Sequence, residues 1–194
     1  DKDAGRLIRK ALDEAKLPLR AIINTHHHAD HIGGNDFLVR NLPGVPVYAP
    51  PLEAALIAHP LLEPVYLSMG AQPIPALQNK WLMAKGVPVD HLIEGAQLTI
   101  AGTTLDVIAL PGHSLGQIGL AFDGVCFAAD GFFGPAILQK HGIPYAQDVG
   151  AQLASLGRLA ARNDLYFLPG HGDLTPRDQL EELLAVNQAA IEHA

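Results

Sequence analysis

One stretch near the start of the chain, THHHADHIGG at residues 25–34, most constrains what this sequence can fold into. Between residues 26 and 31 it carries four side chains that can bind a metal: His26, His28, Asp30 and His31. Imidazole and carboxylate donors together suit a divalent ion such as zinc. Packing alone gives no reason for so many of them in one short segment. The stretch therefore predicts a metal-binding loop, held by a fold rigid enough to fix it.

Three later segments have a similar character, because each follows a short apolar run and places a potential ligand next to glycine. They are PGHS at residues 111–114, AADG at 128–131 and LPGHG at 168–172, which contribute His113, Asp130 and His171. We expect each segment to be a loop just beyond a strand, since a rigid sheet lets separate loops project side chains into one space. Glycines beside the ligands let the backbone turn tightly there.

In this order, H-x-H-x-D-H followed by H, D and H, the candidate ligands resemble the pattern of the metallo-β-lactamase superfamily of hydrolases. The resemblance covers nearly the whole chain from about Ala21 onward. It implies an α/β fold, the αββα metallo-β-lactamase sandwich, in one domain over residues 1–194. In the superfamily several strands come before the first helix. The chain is therefore expected to lack these N-terminal strands and to have an incomplete first sheet.

The resemblance also implies two divalent metal ions and a role for each ligand. Zinc is the first expectation, with iron or manganese as alternatives. One metal would be held by His26, His28 and His113. The other would be held by Asp30, His31 and His171, and Asp130 would bridge the two. Asp30 would in addition be the catalytic residue that orients the nucleophile and assists proton transfer.

Such a ligand set implies a dinuclear metal-dependent hydrolase, in which a metal-bound hydroxide attacks a small ester, thioester or lactone. Within the superfamily, the glyoxalase-II-like thioesterases share every ligand, whereas the true β-lactamases differ at the position of Asp130. Two alternatives stay open: a mononuclear iron enzyme similar to persulfide dioxygenases, and a non-catalytic metal-binding module. Metal analysis of protein purified without added metal would separate the iron enzyme from the hydrolase.

Composition restricts the partners. The net charge is −7 and Lys and Arg form no runs, so no nucleic acid is expected. No run of 18 apolar residues occurs, so no membrane segment is expected, and the expected location is cytoplasmic. The expected partner is a small-molecule substrate, and a homo-oligomer stays open. The single cysteine, Cys126, lies in an apolar run and is expected to be buried.

Periodicity and turn residues predict helices at about 3–16, 35–41, 52–58, 149–162 and 176–191. They predict strands at 20–24, 45–49, 91–93, 96–101, 104–110, 118–122, 125–129 and 165–168. The proline-rich segment 60–90 is expected to be an irregular insertion that could serve as a substrate lid, and residues 131–148 are expected to be a loop.

These two irregular segments are the ones expected to reach over the metal loops. Their bulky side chains are mostly apolar: Tyr66, Met69, Trp81, Met83, Phe132, Phe133 and Tyr145. A mostly apolar wall with few charges suits a small substrate that has an apolar part. We expect Trp81 to contact the non-reacting end of such a substrate, and the alternative is that it belongs to the core.

Overall fold

Two separate sheets form in the part of the chain that this computed structural model describes, residues 2–142 and 145–193. Each sheet belongs to one of two units, Asp1–Ile93 and Glu94–Ala194. Helices accompany both sheets, so the α/β class predicted from the sequence is confirmed. In the described residues no helix is long and apolar enough to cross a membrane.

The first unit is organised around three short parallel strands in the order β1–β2–β3. They are β1 (Ile22–Ile23), β2 (Val47–Ala49) and β3 (His91–Leu92). The helices described here are α1 (Lys2–Ala15), α2 (Ala29–Ile32), α3 (Asn35–Asn41), α4 (Pro51–Ala58) and α5 (Leu62–Leu67), with a 3₁₀ turn at Pro75–Leu77. The apolar residues of β1 and β2 pack with those of α2, α3 and α4 in one core.

Helix α1 packs closely against the start of α3, where α1 carries Gly5 and the residue before α3 is Gly34. A Cβ atom added at Gly5 would lie 2.7 Å from the carbonyl oxygen of Gly34, which is closer than side-chain carbons normally come. Gly34 is also the last residue of the predicted metal-binding stretch, residues 25–34, which is called the metal-binding stretch below. The glycine that ends this stretch therefore has a packing role against α1.

The second unit has a six-stranded sheet in the order β4–β5–β6–β7–β8–β9, antiparallel except for the parallel pair β7–β8. Its strands are β4 (Gln97–Ile100), β5 (Thr103–Ala109), β6 (Ile118–Phe122), β7 (Val125–Ala129), β8 (Tyr166–Pro169) and β9 (Thr175–Pro176). Its described helices are α6 (Pro135–His141), α7 (Val149–Ala160) and α8 (Arg177–Glu192). The predicted β6–β7 hairpin is confirmed, and its turn at Asp123-Gly124 has positive φ at both residues, as a tight hairpin turn requires.

Strand direction in this sheet brings three loops to one edge. Strands β5 and β7 are each antiparallel to β6, and β8 is parallel to β7, so β5, β7 and β8 all run in the same direction. Their carboxyl ends therefore lie at the same edge of the sheet. The segments that follow them carry His113, Asp130 and His171. The core beneath this edge includes the buried Cys126, Phe132 and Phe167, so the predicted burial of the cysteine is confirmed.

Several short helices correct the secondary structure predicted from the sequence. Residues 131–148 were expected to be a loop, but α6 begins there at Pro135, a residue that favours the first position of a helix. The segment 60–90 contains α5, and the metal-binding stretch contains α2. The last helix was expected to begin at residue 176. Pro176 belongs instead to β9 with Thr175, and the helix begins at Arg177.

Candidate metal centre

Two buried asparagines, one on each side of the metal-binding stretch, are hydrogen-bonded to each other. Asn24 follows β1, and its backbone N–H donates to the carbonyl of Tyr48 on β2 at 2.9 Å. Its side-chain oxygen accepts a hydrogen bond of 2.8 Å from the amide of Asn35, which begins α3. Asn24 and Asn35 therefore join the residue before the stretch to the residue after it. The sequence analysis did not single out either residue.

Three of the predicted ligands in the first unit have their rings in contact. The His26 ring centroid lies 4.2 Å from that of His31 and 4.9 Å from that of His28. Asp30 Oδ2 lies 3.6 Å from His31 Nε2. All four predicted ligands of this stretch therefore lie together, and the Asp30 side chain is the most open of them, at 53% exposure. Three imidazoles and a carboxylate form a donor set that fits a divalent metal ion such as zinc.

The orientation of His26 is set by the residue before it. The hydroxyl oxygen of Thr25 lies 3.1 Å from His26 Nδ1. We assign the ring proton to Nδ1, donated to this hydroxyl, because that leaves the other nitrogen, Nε2, as the one suited to a metal. His26 is fully buried, so this orientation is held by packing as well.

His27, the histidine that falls between the predicted ligands, turns toward α4 instead. Its backbone and its ring both contact one oxygen of Glu53. The backbone N–H of His27 donates to Glu53 Oε2 at 2.9 Å, and the ring nitrogen Nδ1 contacts the same oxygen. On its other edge, Nε2 lies 3.4 Å from the Tyr66 hydroxyl and 3.9 Å from Glu63 Oε2.

The two carboxylates beside His27 are both buried, and Glu63 shows the electrostatic consequence. Burial raises the pKa of Glu63 to about 7. His27 opposes this shift, whereas Asp30 and Glu53 add to it by repulsion. Ligand atoms of His27, His28 and Glu63 also lie within 4.8 Å of one another, so these side chains are close enough to share a cation. This acidic surrounding favours positive charge near the metal-binding stretch.

In the second unit, the two predicted histidine ligands lie close to one carboxylate oxygen of the third predicted ligand, Asp130. His113 Nε2 lies 3.3 Å from Asp130 Oδ2, and His171 Nε2 lies 3.6 Å from the same atom. The ring nitrogen Nδ1 of His113 donates to the carbonyl of Tyr145 at 2.7 Å. This hydrogen bond fixes the ring so that Nε2 faces the carboxylate, which is the usual arrangement of a histidine that binds metal through its other nitrogen.

The loop that carries His113 depends on a glycine and on α7. Gly112 has φ +131°, and a Cβ atom there would lie 2.3 Å from the backbone nitrogen of Gln152. The Gly112 carbonyl accepts backbone hydrogen bonds from Gln147 and Asp148 at 2.7 and 2.9 Å. Ser155 on α7 donates to the carbonyl of Pro111 at 2.7 Å. No side chain could therefore replace the hydrogen at Gly112 without moving α7.

Asp130 is held by two buried glutamines that the sequence analysis did not identify. Its backbone N–H donates to Gln117 Oε1 at 3.3 Å, and its carbonyl accepts from Gln152 Nε2 at 3.3 Å. The preceding residue, Ala129, has φ +49°, an uncommon conformation for a residue with a side chain. Gln152 lies four residues before Leu156 on the buried face of α7, and a polar residue on an apolar face was the available sequence signal.

His171 is held by backbone contacts from two directions. The N–H of Gly170 donates to the carbonyl of Ala129 at 2.6 Å, which continues the β7–β8 pairing toward the ligands. The His171 carbonyl accepts from the N–H of Gly134 at 2.9 Å. The Phe133 ring stacks at 6.3 Å from the His171 ring. The ring of His171 is half-buried and therefore the most open of the three ligands in this unit.

The residues expected to line a substrate site divide into exposed and buried groups. Met69 is 97% exposed and Trp81 75% exposed, so the alternative that Trp81 belongs to the core is wrong. Phe132 is fully buried in the core of the second unit, so the expectation that it lines a substrate wall is also wrong. Tyr66 is turned toward His27, and Tyr145 contacts His113 through its carbonyl.

Comparison with proteins of known sequence identifies a family. The family model described as the metallo-beta-lactamase superfamily matches residues 1–171. A hydroxyacylglutathione hydrolase of Vibrio campbellii is 35% identical over 133 residues, which are 69% of this chain and 41% of that protein. One of Aeromonas hydrophila is 33% identical over 150 residues, 76% of this chain and 45% of that protein. The chain thus spans less than half the length of these curated relatives.

Comparison with solved structures addresses the fold. The crystal structure of the BLEG-1 B3 metallo-beta-lactamase has a TM-score of 0.72 at 27% identity, covering 94% of this chain and 84% of that one. A Cronobacter sakazakii metallo-beta-lactamase with a HARLDQ motif has a TM-score of 0.72 at 22% identity, covering 99% and 80%. At such identity the second likeness concerns the fold alone. The metallo-β-lactamase fold predicted from the ligand pattern is confirmed.

Proposed function

The chain belongs to the metallo-β-lactamase superfamily, and from that premise we propose that it is a metal-dependent hydrolase of a small ester, thioester or lactone. The observation that carries this proposal is the convergence of two histidine Nε2 atoms on Asp130 Oδ2, at 3.3 and 3.6 Å. A buried aspartate between two imidazoles, in a chain that also carries the H-x-H-x-D-H stretch, has the donor chemistry of a metal ligand.

We further propose that all seven residues predicted from the sequence are metal ligands and that two divalent ions, zinc first, are bound. The ligands are His26, His28, Asp30, His31, His113, Asp130 and His171. Bound divalent ions would supply an activated water and positive charge against the oxyanion that develops on an attacked carbonyl. The support is the family membership together with the clustering of four of these side chains in the first unit and three in the second.

Asp30 is the proposed catalytic residue. Its side chain is 53% exposed, so a carboxylate oxygen can reach solvent, orient a water molecule and take up a proton. The other ligands have a more restricted task. His113, through its hydrogen bond to the carbonyl of Tyr145, keeps a fixed tautomer and cannot serve as a mobile base.

A thioester is the first substrate class to test, because the relatives at 33–35% identity are named hydroxyacylglutathione hydrolases. Segment 60–90 is proposed as the substrate lid. Its most exposed large apolar side chains, Met69, Ile74 and Trp81, offer apolar surface to the non-reacting part of a small substrate. The substrate and its partners are properties of the whole protein and remain proposals for this chain.

The test is a substrate panel and a metal analysis on one preparation of the chain purified without added metal. The panel contains a glutathione thioester, a p-nitrophenyl acyl ester, a lactone, a β-lactam and a phosphodiester. We expect two divalent ions per chain and fastest cleavage of a thioester or acyl ester. Faster cleavage of the phosphodiester, or one iron per chain with oxygen uptake on a persulfide, would overturn the proposal. Bound metal without turnover on the panel would favour the non-catalytic module.

A pair of Asp→Asn variants controls this test. Asp130→Asn should lose more than about a hundredfold in turnover, beyond what removal of an outer hydrogen-bond partner of a metal site costs. Asp123→Asn makes the same chemical change at the hairpin turn, where φ is +52° and asparagine is well tolerated. It should keep the metal content and the turnover of the unmodified chain.

A further inference from the structure

A buried polar cluster lies beside the metal-binding stretch, and the proposed chemistry does not use it. It consists of His27, Glu53, Glu63 and Tyr66, all in the first unit. His27 is 3% exposed, Glu53 is 0% exposed and Glu63 is 6% exposed. Burying ionisable groups is costly unless their partners compensate. A cluster of three of them next to a metal-binding stretch therefore requires a specific reason.

Glu53 holds both the backbone and the ring of His27 through one carboxylate oxygen. Glu53 Oε2 accepts the backbone N–H of His27 at 2.9 Å and also contacts the ring nitrogen Nδ1. Glu53 lies in the first turn of α4, which begins at Pro51 after an extended Pro50. Proline at that position fixes the start of the helix, so the carboxylate that receives both hydrogen bonds is itself held in place.

The opposite edge of the His27 ring meets α5. Its Nε2 lies 3.4 Å from the Tyr66 hydroxyl and 3.9 Å from Glu63 Oε2. The side chain of His27 is 2% exposed. The ring is therefore enclosed between α4 and α5, and it cannot rotate without breaking contacts on both edges.

His27 lies between two proposed ligands in the chain. The rings of His26 and His28 contact each other, with centroids 4.9 Å apart, and the His27 ring, which contacts Glu53, lies 4.7 Å from the His28 ring. Adjacent residues share rigid peptide planes, so fixing the backbone at His27 restricts the directions in which the side chains of His26 and His28 leave the chain. A contact between His27 and α4 can therefore set the geometry of the ligands on either side of His27.

We propose that Glu53 is a positioning residue of the metal centre, which holds His27 so that His26 and His28 are oriented for metal binding before the metal arrives. This inference rests on the proposed function, because it requires the stretch to bind metal. It accounts for a buried carboxylate on α4, since an apolar side chain would fill the same space at lower desolvation cost. Preorganised ligands lose less freedom on binding, so the expected result of losing Glu53 is weaker binding.

The experiment measures zinc affinity by chelator competition for the unmodified chain, Glu53→Gln and Asp90→Asn. Asp90 is the matched control, because its carboxylate also accepts a backbone N–H in the first unit, that of Val47 at 2.8 Å, yet it makes no hydrogen bond to the metal-binding stretch. We expect Glu53→Gln to bind zinc about ten- to a hundredfold more weakly, the range for loss of an outer partner at metal sites. Asp90→Asn should bind within about twofold of the unmodified chain.

A second measurement separates positioning from general stability. The visible absorption spectrum of the cobalt-substituted protein reports ligand geometry, and it should change in Glu53→Gln but not in Asp90→Asn. The double variant Glu53→Gln/His27→Gln should bind zinc no more weakly than the weaker single variant, because both changes interrupt the same contact. Multiplied losses in the double variant would mean that Glu53 does not act through His27 and would overturn the inference.

The remaining outcomes are distinguishable. If the unmodified chain binds no zinc or other divalent ion, the proposed function fails. If it binds zinc and Glu53→Gln binds equally well with an unchanged cobalt spectrum, the positioning role fails and the proposed function stands. Should Glu53→Gln not fold, Glu53→Asp carries the same test, because the shorter side chain keeps the buried charge but withdraws the carboxylate from His27. Unchanged zinc affinity in Glu53→Asp would then overturn the inference.

Discussion

The two units present their proposed metal ligands in different ways. The first unit carries four of them on one continuous stretch between β1 and α3, where the covalent chain itself sets their spacing. The second unit collects three from segments after β5, β7 and β8, which are separated by 17 or more residues. A continuous stretch needs few hydrogen bonds to the rest of the fold to keep its ligands together. Separate loops depend on the sheet register and on every hydrogen bond that holds each loop in place.

The side chains that hydrogen-bond the ligand-bearing segments and hold them in place, called ties below, also differ in chemistry between the units. In the first unit the amides of Asn24 and Asn35 join the ends of the stretch, and in addition a buried carboxylate, Glu53, holds it at His27. In the second unit neutral amides do the corresponding work: Gln117 and Gln152 at Asp130, and Asn187 at Phe133. Neutral amides can satisfy buried backbone groups without the desolvation cost of a charge. We therefore expect loss of a tie in the second unit to reduce stability first and metal binding second.

The largest effect is expected from Gly112→Ala. The new Cβ would lie 2.3 Å from the backbone of Gln152 at φ +131°, so both a clash and a strained backbone result. We expect a loss of about 3 kcal/mol or more in the free energy of unfolding, measured by urea denaturation.

The control for Gly112→Ala is Gly44→Ala, which also has positive φ but has no atom within 4 Å of the new Cβ. It should cost only about 1 kcal/mol, because strain is then the sole penalty. Equal losses in the free energy of unfolding would show that the close approach of α7 to the His113 loop adds no cost to Gly112→Ala. The second unit would then not depend on this packing to hold its ligand loop.

A smaller loss is expected from Asn187→Ala on α8. The Asn187 side chain accepts the N–H of Phe133 at 2.8 Å and donates to its carbonyl at 3.0 Å, just after the ligand Asp130. Removing it leaves two buried backbone groups unsatisfied, so we expect a loss of about 2 kcal/mol in calorimetric or urea unfolding. The neighbouring Gln188 is exposed and bonds Glu192, so Gln188→Ala should change stability by less than about 0.5 kcal/mol.

A pH-dependent effect is expected from Cys126 in the core of the second unit. Burial raises the pKa of its thiol to about 12, above the ordinary value of 9.0. The folded chain therefore retains a proton that the unfolded chain loses above pH 9, and stability falls as the pH rises from about 9 to 12. At pH 10 this amounts to about 1 kcal/mol. In Cys126→Ala, the free energy of unfolding should fall less between pH 9 and 12 than in the unmodified chain. An identical dependence on pH in both proteins would contradict the attribution of this loss to Cys126.

The smallest effect on stability is expected from Trp81→Ala. The side chain is 75% exposed and lies in the segment proposed as a lid, so its removal should change the free energy of unfolding by less than about 0.5 kcal/mol. If it contacts the non-reacting end of the substrate, KM should rise while kcat and metal content stay unchanged. A loss of several kcal/mol, as expected for a buried aromatic, would show that Trp81 packs against the protein in solution.

Local signals predicted much of the fold. The β6–β7 hairpin has the predicted bounds because Asp-Gly supplies the positive φ that its turn requires. Helix α3 also has its predicted bounds, and α4 begins at Pro51, one residue before its predicted start. The short helices α2, α5 and α6 were missed, because one or two turns leave too few residues for a 3.6-residue period to be visible among prolines and glycines.

The residues that hold the ligands in place could not be predicted in the same way. Glu53 lies on the mostly apolar α4 and Gln117 lies just before β6, and no local signal distinguishes either of them from a solvent-facing position, whereas Gln152 on the buried face of α7 gave only a weak one. Their partners lie 13 to 26 residues away. These side chains hold the ligand segments only because they are buried next to them in the folded protein. Burial depends on how the whole chain packs and cannot be read from a local segment.

By itself, the sequence determined that four potential metal donors, His26, His28, Asp30 and His31, lie within six residues of one another, so the covalent chain limits their separation. It could not decide whether His113 and His171 meet Asp130. That required β5, β7 and β8 to end at one edge of the sheet, with Ala129 opposite Pro169 in the parallel pair β7–β8, so that both Nε2 atoms reach the same oxygen. The physical reason is that register between distant strands is set by the sum of core contacts, and no single segment contains that information.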